Sequence, residues 1–170
     1  MSISLNAIEV FEIAERIERN AVKFFRRAAE IFSDPDMSRT LLSLAEFERE
    51  HERTFANMRR QISNKQWELV TFDPESETTL YLQTIADRKI FDPAKDPKEQ
   101  LSEQKTVEDI LKYAIQSEKD TIIFYLGLKD FVPTIAGKNK VDEIIKEEMD
   151  HIAELKQRLE AWKYLKTISI

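Results

Sequence analysis

Apolar residues recur at intervals of three and four residues along four long stretches of the chain. That spacing predicts four amphipathic α-helices, and no stretch sustains the alternation typical of a β-strand. The predicted helices cover about 5–32, 35–62, 106–131 and 140–165. Each is about 25 residues, or about 40 Å, long. We therefore expect an all-α chain whose helices lie side by side as a four-helix bundle.

Turn-forming residues mark where the predicted helices begin and end. Asp34 followed by Pro35 is a helix start signal, because aspartate caps a helix N-terminus and proline fits the first helical position. Thr106 is a candidate N-cap of the third helix, and Pro133 ends that helix. The fourth helix is expected to begin after the glycine-containing segment 137–139.

The connections between the predicted helices differ greatly in length. A few residues join helices one and two, and a few join helices three and four, which predicts two antiparallel hairpins over about 5–62 and 106–165. The forty or so residues between them, 63–105, are too many for a structureless loop, and 77–91 is predicted to form a shorter helix. We expect one domain, 1–170, in which this crossover runs the length of the bundle and helix three starts beside the start of helix two.

Each predicted helix carries polar residues on the face that should be buried. One glutamate interrupts the apolar seam of every helix, and in helices two and four a histidine follows one turn later. These residues are Glu18, Glu48, His51, Glu118, Glu148 and His151, and the chain has no other histidine.

The six residues repeat at a fixed interval. Glu18, Glu48 and His51 each have an identical counterpart 100 residues later, and the same interval relates the aromatic residues Phe25 and Tyr125. The two hairpins are therefore predicted to be an internal repeat. A pseudo-twofold axis along the bundle would bring the two sets of polar residues together at mid-height.

Four carboxylates facing one another in an apolar interior cannot all remain ionised and unpaired, because burying one such charge costs more than the stability margin of a small protein. Either several are protonated or cations neutralise them. Each Glu-x-x-His pair places a carboxylate and an imidazole on one helix face, about 5–6 Å apart at Cβ. A single such pair is common without a metal, but this set of four glutamates and two histidines is the ligand set of di-iron and di-manganese bundles.

Composition excludes several other kinds of chemistry. The chain has no cysteine, which excludes disulfides, thiol catalysis, zinc fingers and cysteine-bound iron. Its net charge of −6 has the wrong sign for nucleic acid or an anionic membrane, so we expect neither as a partner. No apolar stretch is long enough to span a bilayer and no leader sequence is recognisable, so we expect a cytoplasmic protein.

The motifs resemble the rubrerythrin-like branch of the ferritin-like superfamily. The resemblance rests on segments in all four helices and, less specifically, on two in the crossover: 18–25, 48–51, 118–125, 148–151, 72–74 and 86–91. It implies a centre of two iron ions, or of manganese or mixed metals. Glu18 and Glu118 would be terminal ligands and Glu48 and Glu148 bridging ligands, and His51 and His151 would each bind one metal ion.

The chain departs from these relatives at several points. Rubrerythrins carry a cysteine-bearing rubredoxin domain, which is missing here, and a further glutamate that takes part in peroxide reduction where this chain has Thr121. Bacterioferritins share the two Glu-x-x-His pairs, but Arg49 occupies the position of their haem-ligating methionine. We therefore expect no haem.

The ligand set and the resemblance together predict a non-haem di-iron oxidoreductase that reacts with hydrogen peroxide or dioxygen. Tyr125 is a candidate hydrogen-bond donor beside the site, or equally a core aromatic residue with a satisfied hydroxyl. Electrons would come from an external donor or from further ferrous ions. The alternatives are an iron-storing ferroxidase subunit of a shell and a bundle in which metal only stabilises the fold. The family leads us to expect a homodimer.

Overall fold

The computed structural model describes residues 6–64, 80, 82, 90–91 and 107–168. Four long helices run through these residues: α1 (Ala7–Ile31), α2 (Pro35–Asn64), α3 (Val107–Leu128) and α4 (Ile135–Ile168). A 3₁₀ turn, Lys129–Phe131, lies between α3 and α4. The described residues contain no β-strand, and the predicted all-α fold is confirmed. None of the described helices has the length and apolar content needed to cross a membrane.

Local hydrogen bonds fix the starts of the first two helices. Asn6 and Glu9 form a capping box at α1, in which each side chain accepts a hydrogen bond from the backbone N–H of the other, at 3.0 and 2.8 Å. The Asp34 carboxylate accepts a hydrogen bond from the Asp36 N–H at 3.1 Å. Helix α2 therefore begins at Pro35, as the Asp-Pro pair predicts.

The start of α4 corrects the sequence prediction. The helix begins at Ile135, not after segment 137–139, and Gly137 lies within its first turn. The Gly137 N–H donates to the Thr134 hydroxyl at 3.0 Å, which satisfies one of the free N–H groups at the helix start. A Cβ added to Gly137 would lie 2.6 Å from a methyl group of Val132. The glycine permits close packing there and does not interrupt the helix.

The end of α3 and the crossover also differ in detail from the prediction. Helix α3 ends at Leu128, and the chain tightens into the 3₁₀ turn before Pro133, a common way for a helix to end. Ile90 and Phe91 form a turn, so the helix predicted for 77–91 does not extend to Phe91. The rest of that helix, apart from residues 80 and 82, and the Thr106 cap lie outside the described residues.

The closest helix packing lies within each hairpin, α1 against α2 and α3 against α4. Between the hairpins α1 lies beside α3 and α2 beside α4, with fewer close approaches of the backbones. Phe24, late in α1, contacts Tyr113, early in α3, with 5.2 Å between ring centroids. Helices α1 and α3 are therefore antiparallel, so α3 starts at the end of the bundle where α1 ends and α2 begins, as predicted.

Aromatic side chains fill the bundle on both sides of its middle. On one side Phe55 lies between Phe11 and Tyr125, with centroid distances of 6.2 and 4.8 Å. On the other side Phe24 and Phe91 pack at 5.4 Å. All five side chains are buried. The space between these two layers is where the polar residues of the four seams meet.

Candidate metal centre

The six seam residues meet in the middle of the bundle and form two overlapping groups. In each group one ligand atom per residue lies within 4.8 Å of the others. The first group is Glu18, Glu48, His51 and Glu148, and the second is Glu48, Glu118, Glu148 and His151. All six residues are at most 5% exposed. Glu48 and Glu148 belong to both groups, so the cluster has two terminal carboxylates and a shared central pair.

The two histidines face the shared carboxylates in a crossed arrangement. His51 Nδ1 lies 3.1 Å from Glu48 and 3.0 Å from Glu148. His151 Nδ1 lies 3.1 Å from Glu148 and 3.0 Å from Glu48. Each shared carboxylate thus offers one oxygen to each histidine. This arrangement would allow each shared carboxylate to bridge two metal ions, and Nδ1 is the atom of each ring that faces the shared carboxylates.

Without metal ions, bound protons and nearby opposite charges offset the negative charge of the cluster. Burial, and then repulsion from the shared pair, raises the pKa of Glu18 and Glu118 well above the ordinary value. Burial alone would also raise the pKa of Glu148, but close contacts with the two histidines lower it to about 2. Burial would lower the pKa of His151, and the shared carboxylates instead raise it to about 10. The cluster therefore holds protons at positions that cations would neutralise.

Several buried polar atoms of the cluster have no hydrogen-bond partner within the described part of the chain. They include Oε1 of Glu118, Nε2 of His151 and the hydroxyl of Thr121. Oε1 of Glu48 and Oε1 of Glu148 also lack a hydrogen bond, although each lies 3.0 Å from a histidine Nδ1. Each unsatisfied buried group costs about 1–3 kcal/mol, and more when charged. Two divalent cations would cancel four carboxylate charges and could take these carboxylate oxygens as ligands. The donor set, oxygen with imidazole nitrogen, suits iron or manganese.

Tyr125 lies against the first group. Its hydroxyl donates a hydrogen bond to Oε1 of Glu18, on the helix beside its own. Burial, and then the Glu18 charge, raises the pKa of Tyr125, so the phenol keeps its proton and remains a donor. Tyr125 is thus a fully buried core residue whose satisfied hydroxyl contacts one of the seam glutamates.

Glu147 touches the cluster although the sequence pattern does not select it. The seam places Glu148 inward and leaves Glu147 as a neighbouring surface acid, and its side chain is indeed 48% exposed. Its carboxylate nevertheless reaches across to α2 and lies 2.7 Å from Nε2 of His51. A search for the residue that accepts a hydrogen bond from the second ring nitrogen of each histidine would have identified Glu147.

Comparisons with known proteins support the fold. No protein-family model and no curated protein sequence matches the chain. A crystal structure from Thermotoga maritima, described as a ferritin-like di-iron-carboxylate protein, is similar with a TM-score of 0.70. The match covers 94% of this chain and 98% of the other, at 24% sequence identity. The chain has the ferritin-like fold. In this ferritin-like bundle the buried Glu/His cluster occupies the middle of the four helices.

Proposed function

We propose that the chain is a di-iron oxidoreductase that reacts with hydrogen peroxide or dioxygen. The observation that carries the proposal is the pair of overlapping ligand groups, since Glu48 and Glu148 belong to both. A cluster built for one ion would not need a shared central pair flanked by two terminal carboxylates and two imidazoles. The ferritin-like fold and the description of the similar Thermotoga protein point in the same direction.

The six residues of the cluster would bind two metal ions in separate roles. His51 with Glu18 would bind one ion, His151 with Glu118 the other, and Glu48 with Glu148 would bridge them. A bound pair of ferrous ions would supply two electrons in all, enough with two protons to reduce one molecule of hydrogen peroxide to two of water. Chelation by buried side chains keeps the pair together and apart from bulk solvent.

The surroundings control water and protons. Phe55 packs against Tyr125 on one side of the cluster and Phe47 packs against His151, with 5.3 Å between ring centroids. These apolar walls limit solvent access and strengthen the electrostatic interactions inside. Tyr125 holds a proton at its hydroxyl oxygen and directs it at Glu18, which fixes the orientation of that carboxylate.

Electrons must reach the centre from outside the chain. The 170 residues contain no cysteine and so supply no ligand for a rubredoxin-type iron. An external reductant, or further ferrous ions acting as substrate, would restore the reduced state after each turnover.

The test begins with an anaerobic ferrous titration of metal-free protein, with Glu48→Ala as the control. We expect two ions per chain, and fewer than one in the variant. The loaded protein is then mixed with hydrogen peroxide or dioxygen in stopped flow, and the rate of iron oxidation is compared for the two oxidants. Two bound ions that neither oxidant oxidises would contradict the oxidoreductase and support a structural metal site. No bound metal would contradict the whole proposal.

Gel filtration of the same samples separates the enzyme from the storage alternative. A dimer is expected for the oxidoreductase. A hollow shell of many subunits that takes up iron far beyond two ions per chain would instead establish iron storage.

A further inference from the structure

The two halves of the cluster have the same ligands but different surroundings. Adding or subtracting 100 converts the number of a residue beside His51 or Glu18 into the number of its repeat position, which belongs to the His151–Glu118 half. At two of these pairs of positions, only one residue of the pair forms a hydrogen bond with the cluster. One pair lies next to the histidines and the other next to the terminal glutamates. In both pairs the additional hydrogen bond belongs to the Glu18–His51 half of the cluster.

The first difference concerns the far nitrogens of the histidines. Nε2 of His51 lies 2.7 Å from the Glu147 carboxylate, which can only accept, so His51 donates. The repeat position of Glu147 is Phe47. Its ring packs against His151 at 5.3 Å but offers no acceptor, and Nε2 of His151 is buried without a partner among the described residues.

The second difference concerns the terminal carboxylates. Oε1 of Glu18 accepts the hydrogen bond of Tyr125. The repeat position of Tyr125 is Phe25, which has no hydroxyl. Oε1 of Glu118 is buried and has no hydrogen-bond partner within the described residues. Tyr125 therefore holds Glu18 in one orientation, while no tyrosine hydroxyl within the described residues donates to Glu118.

We propose that the cluster has one tight and one loose metal position, and that Glu147 is the positioning residue that makes the Glu18–His51 position the tight one. The inference rests on the proposed two-metal function. A carboxylate that accepts from the far N–H of a metal-bound imidazole fixes the ring and increases its basicity, and removing such a partner costs about 10–100-fold in metal affinity. The negative charge of Glu147 also attracts a cation at that end of the cluster.

The loose position follows from the same reasoning. Among the described residues, Nε2 of His151 has no acceptor, and Oε1 of Glu118 receives no hydrogen bond like the one that Tyr125 donates to Glu18. Thr121, one turn after Glu118, adds a buried hydroxyl with no partner in the described structure, whereas its repeat position is Ala21. The Glu118–His151 position would thus release and exchange its ion first.

The test is an anaerobic titration with ⁵⁷Fe(II), followed by Mössbauer spectroscopy at one and at two equivalents. We expect two dissociation constants at least tenfold apart, and a single dominant quadrupole doublet at one equivalent. Glu118→Ala should keep the tight equivalent and lose the weak one, and Glu18→Ala should do the reverse. These two variants assign each constant to its half of the cluster.

Substitutions of Glu147 then test the cause. Glu147→Ala should weaken the tight position by about 10–100-fold and leave the loose one unchanged. Glu147→Gln should lie between, because its amide oxygen still accepts but carries no charge. Half of the Glu147 side chain is exposed, so neither substitution opens a cavity in the core. The matched control is Glu143→Ala, one turn earlier on the same helix, whose carboxylate pairs with Lys140 instead.

The converse variant is Phe47→Glu, which supplies His151 with the missing acceptor and should tighten the loose position. Two equal constants in the unmodified protein, or an equal loss at both positions in Glu147→Ala, would overturn the inference and leave the two-metal function intact. Failure of the unmodified protein to bind metal would instead overturn the proposed function itself.

Discussion

The hairpins α1–α2 and α3–α4 share their inward residues and differ in their outward ones. The seam keeps Glu, Glu and His at the same three positions in each, all buried. On the outside, Arg26 of α1 corresponds to Leu126 of α3. Leu126 is 53% exposed, whereas Arg26 reaches across to Glu46 on α2 at 3.0 Å.

This difference shows which positions the fold and the cluster constrain. A change on the outer face alters only solvation and weak ion pairs, so the two hairpins have become different there. A change of an inward glutamate or histidine would leave the opposite carboxylates without their partner. The residues next to the cluster, such as Glu147 and Phe47, are less constrained than the inward residues and more constrained than the outer ones. They make the surroundings of the two halves different.

The largest expected effect comes from the shared carboxylates. Glu148→Ala should abolish binding of both metal ions, as is expected of Glu48→Ala, because each residue belongs to both ligand groups. Metal bound per chain after gel filtration, measured by atomic emission, checks this. If Glu148→Ala kept one tightly bound ion while Glu48→Ala kept none, the two carboxylates would not be equivalent and the twofold relation would fail at the centre of the cluster.

Metal affinity should fall steeply as the pH falls. The pKa of His151 is raised to about 10 and that of His51 is raised further, so below pH 10 metal binding must displace protons from the rings. Each displaced proton weakens binding by about tenfold per pH unit of decrease. Titration with Mn²⁺, which does not oxidise under these conditions, between pH 6 and 8 measures the slope for each position. A flat profile would show that neither ring carries a proton before metal binds.

A smaller effect is expected from the matched core residues Phe24 and Phe124, both fully buried. Replacing either by alanine removes a large side chain and should lower the free energy of unfolding by about 3–5 kcal/mol. Phe24→Ala should cost more, because its ring also contacts Phe91 and Tyr113, at 5.4 and 5.2 Å. Urea denaturation of the two variants tests the order, and a greater loss in Phe124→Ala would contradict it.

The smallest effect is expected where the hairpins differ most. Arg26→Leu gives the first hairpin the residue of the second and removes the ion pair with Glu46. Both partners are about half exposed, so the free energy of unfolding should change by less than about 1 kcal/mol. Thermal denaturation at low and high salt provides the measurement. A loss of several kcal/mol would show that this pair holds α1 to α2 more strongly than exposed pairs do.

The sequence predicted the fold and brought out the cluster because both depend on local periodicity. Glu18 and Glu118 stand out as charges within apolar seams, and the repeat chooses Glu148 over Glu147. Glu147 itself could not be predicted, because its contact with His51 joins different helices and depends on how α2 and α4 are rotated. Gly137 was misinterpreted for a similar reason, since its close neighbour Val132 lies in the preceding turn and not in the helix pattern.

The division of the cluster between two hairpins has a consequence for synthesis. Chains emerge at about 5–20 residues per second, so the first hairpin leaves the ribosome seconds before α4 exists. During that interval the side chains of Glu18, Glu48 and His51 face water, and their charges and polar atoms are hydrated. Their dehydration is delayed to the moment when the two hairpins dock. The protons or cations that neutralise these charges therefore affect the docking of the two hairpins, which is the last step of folding. They leave the formation of each hairpin unaffected.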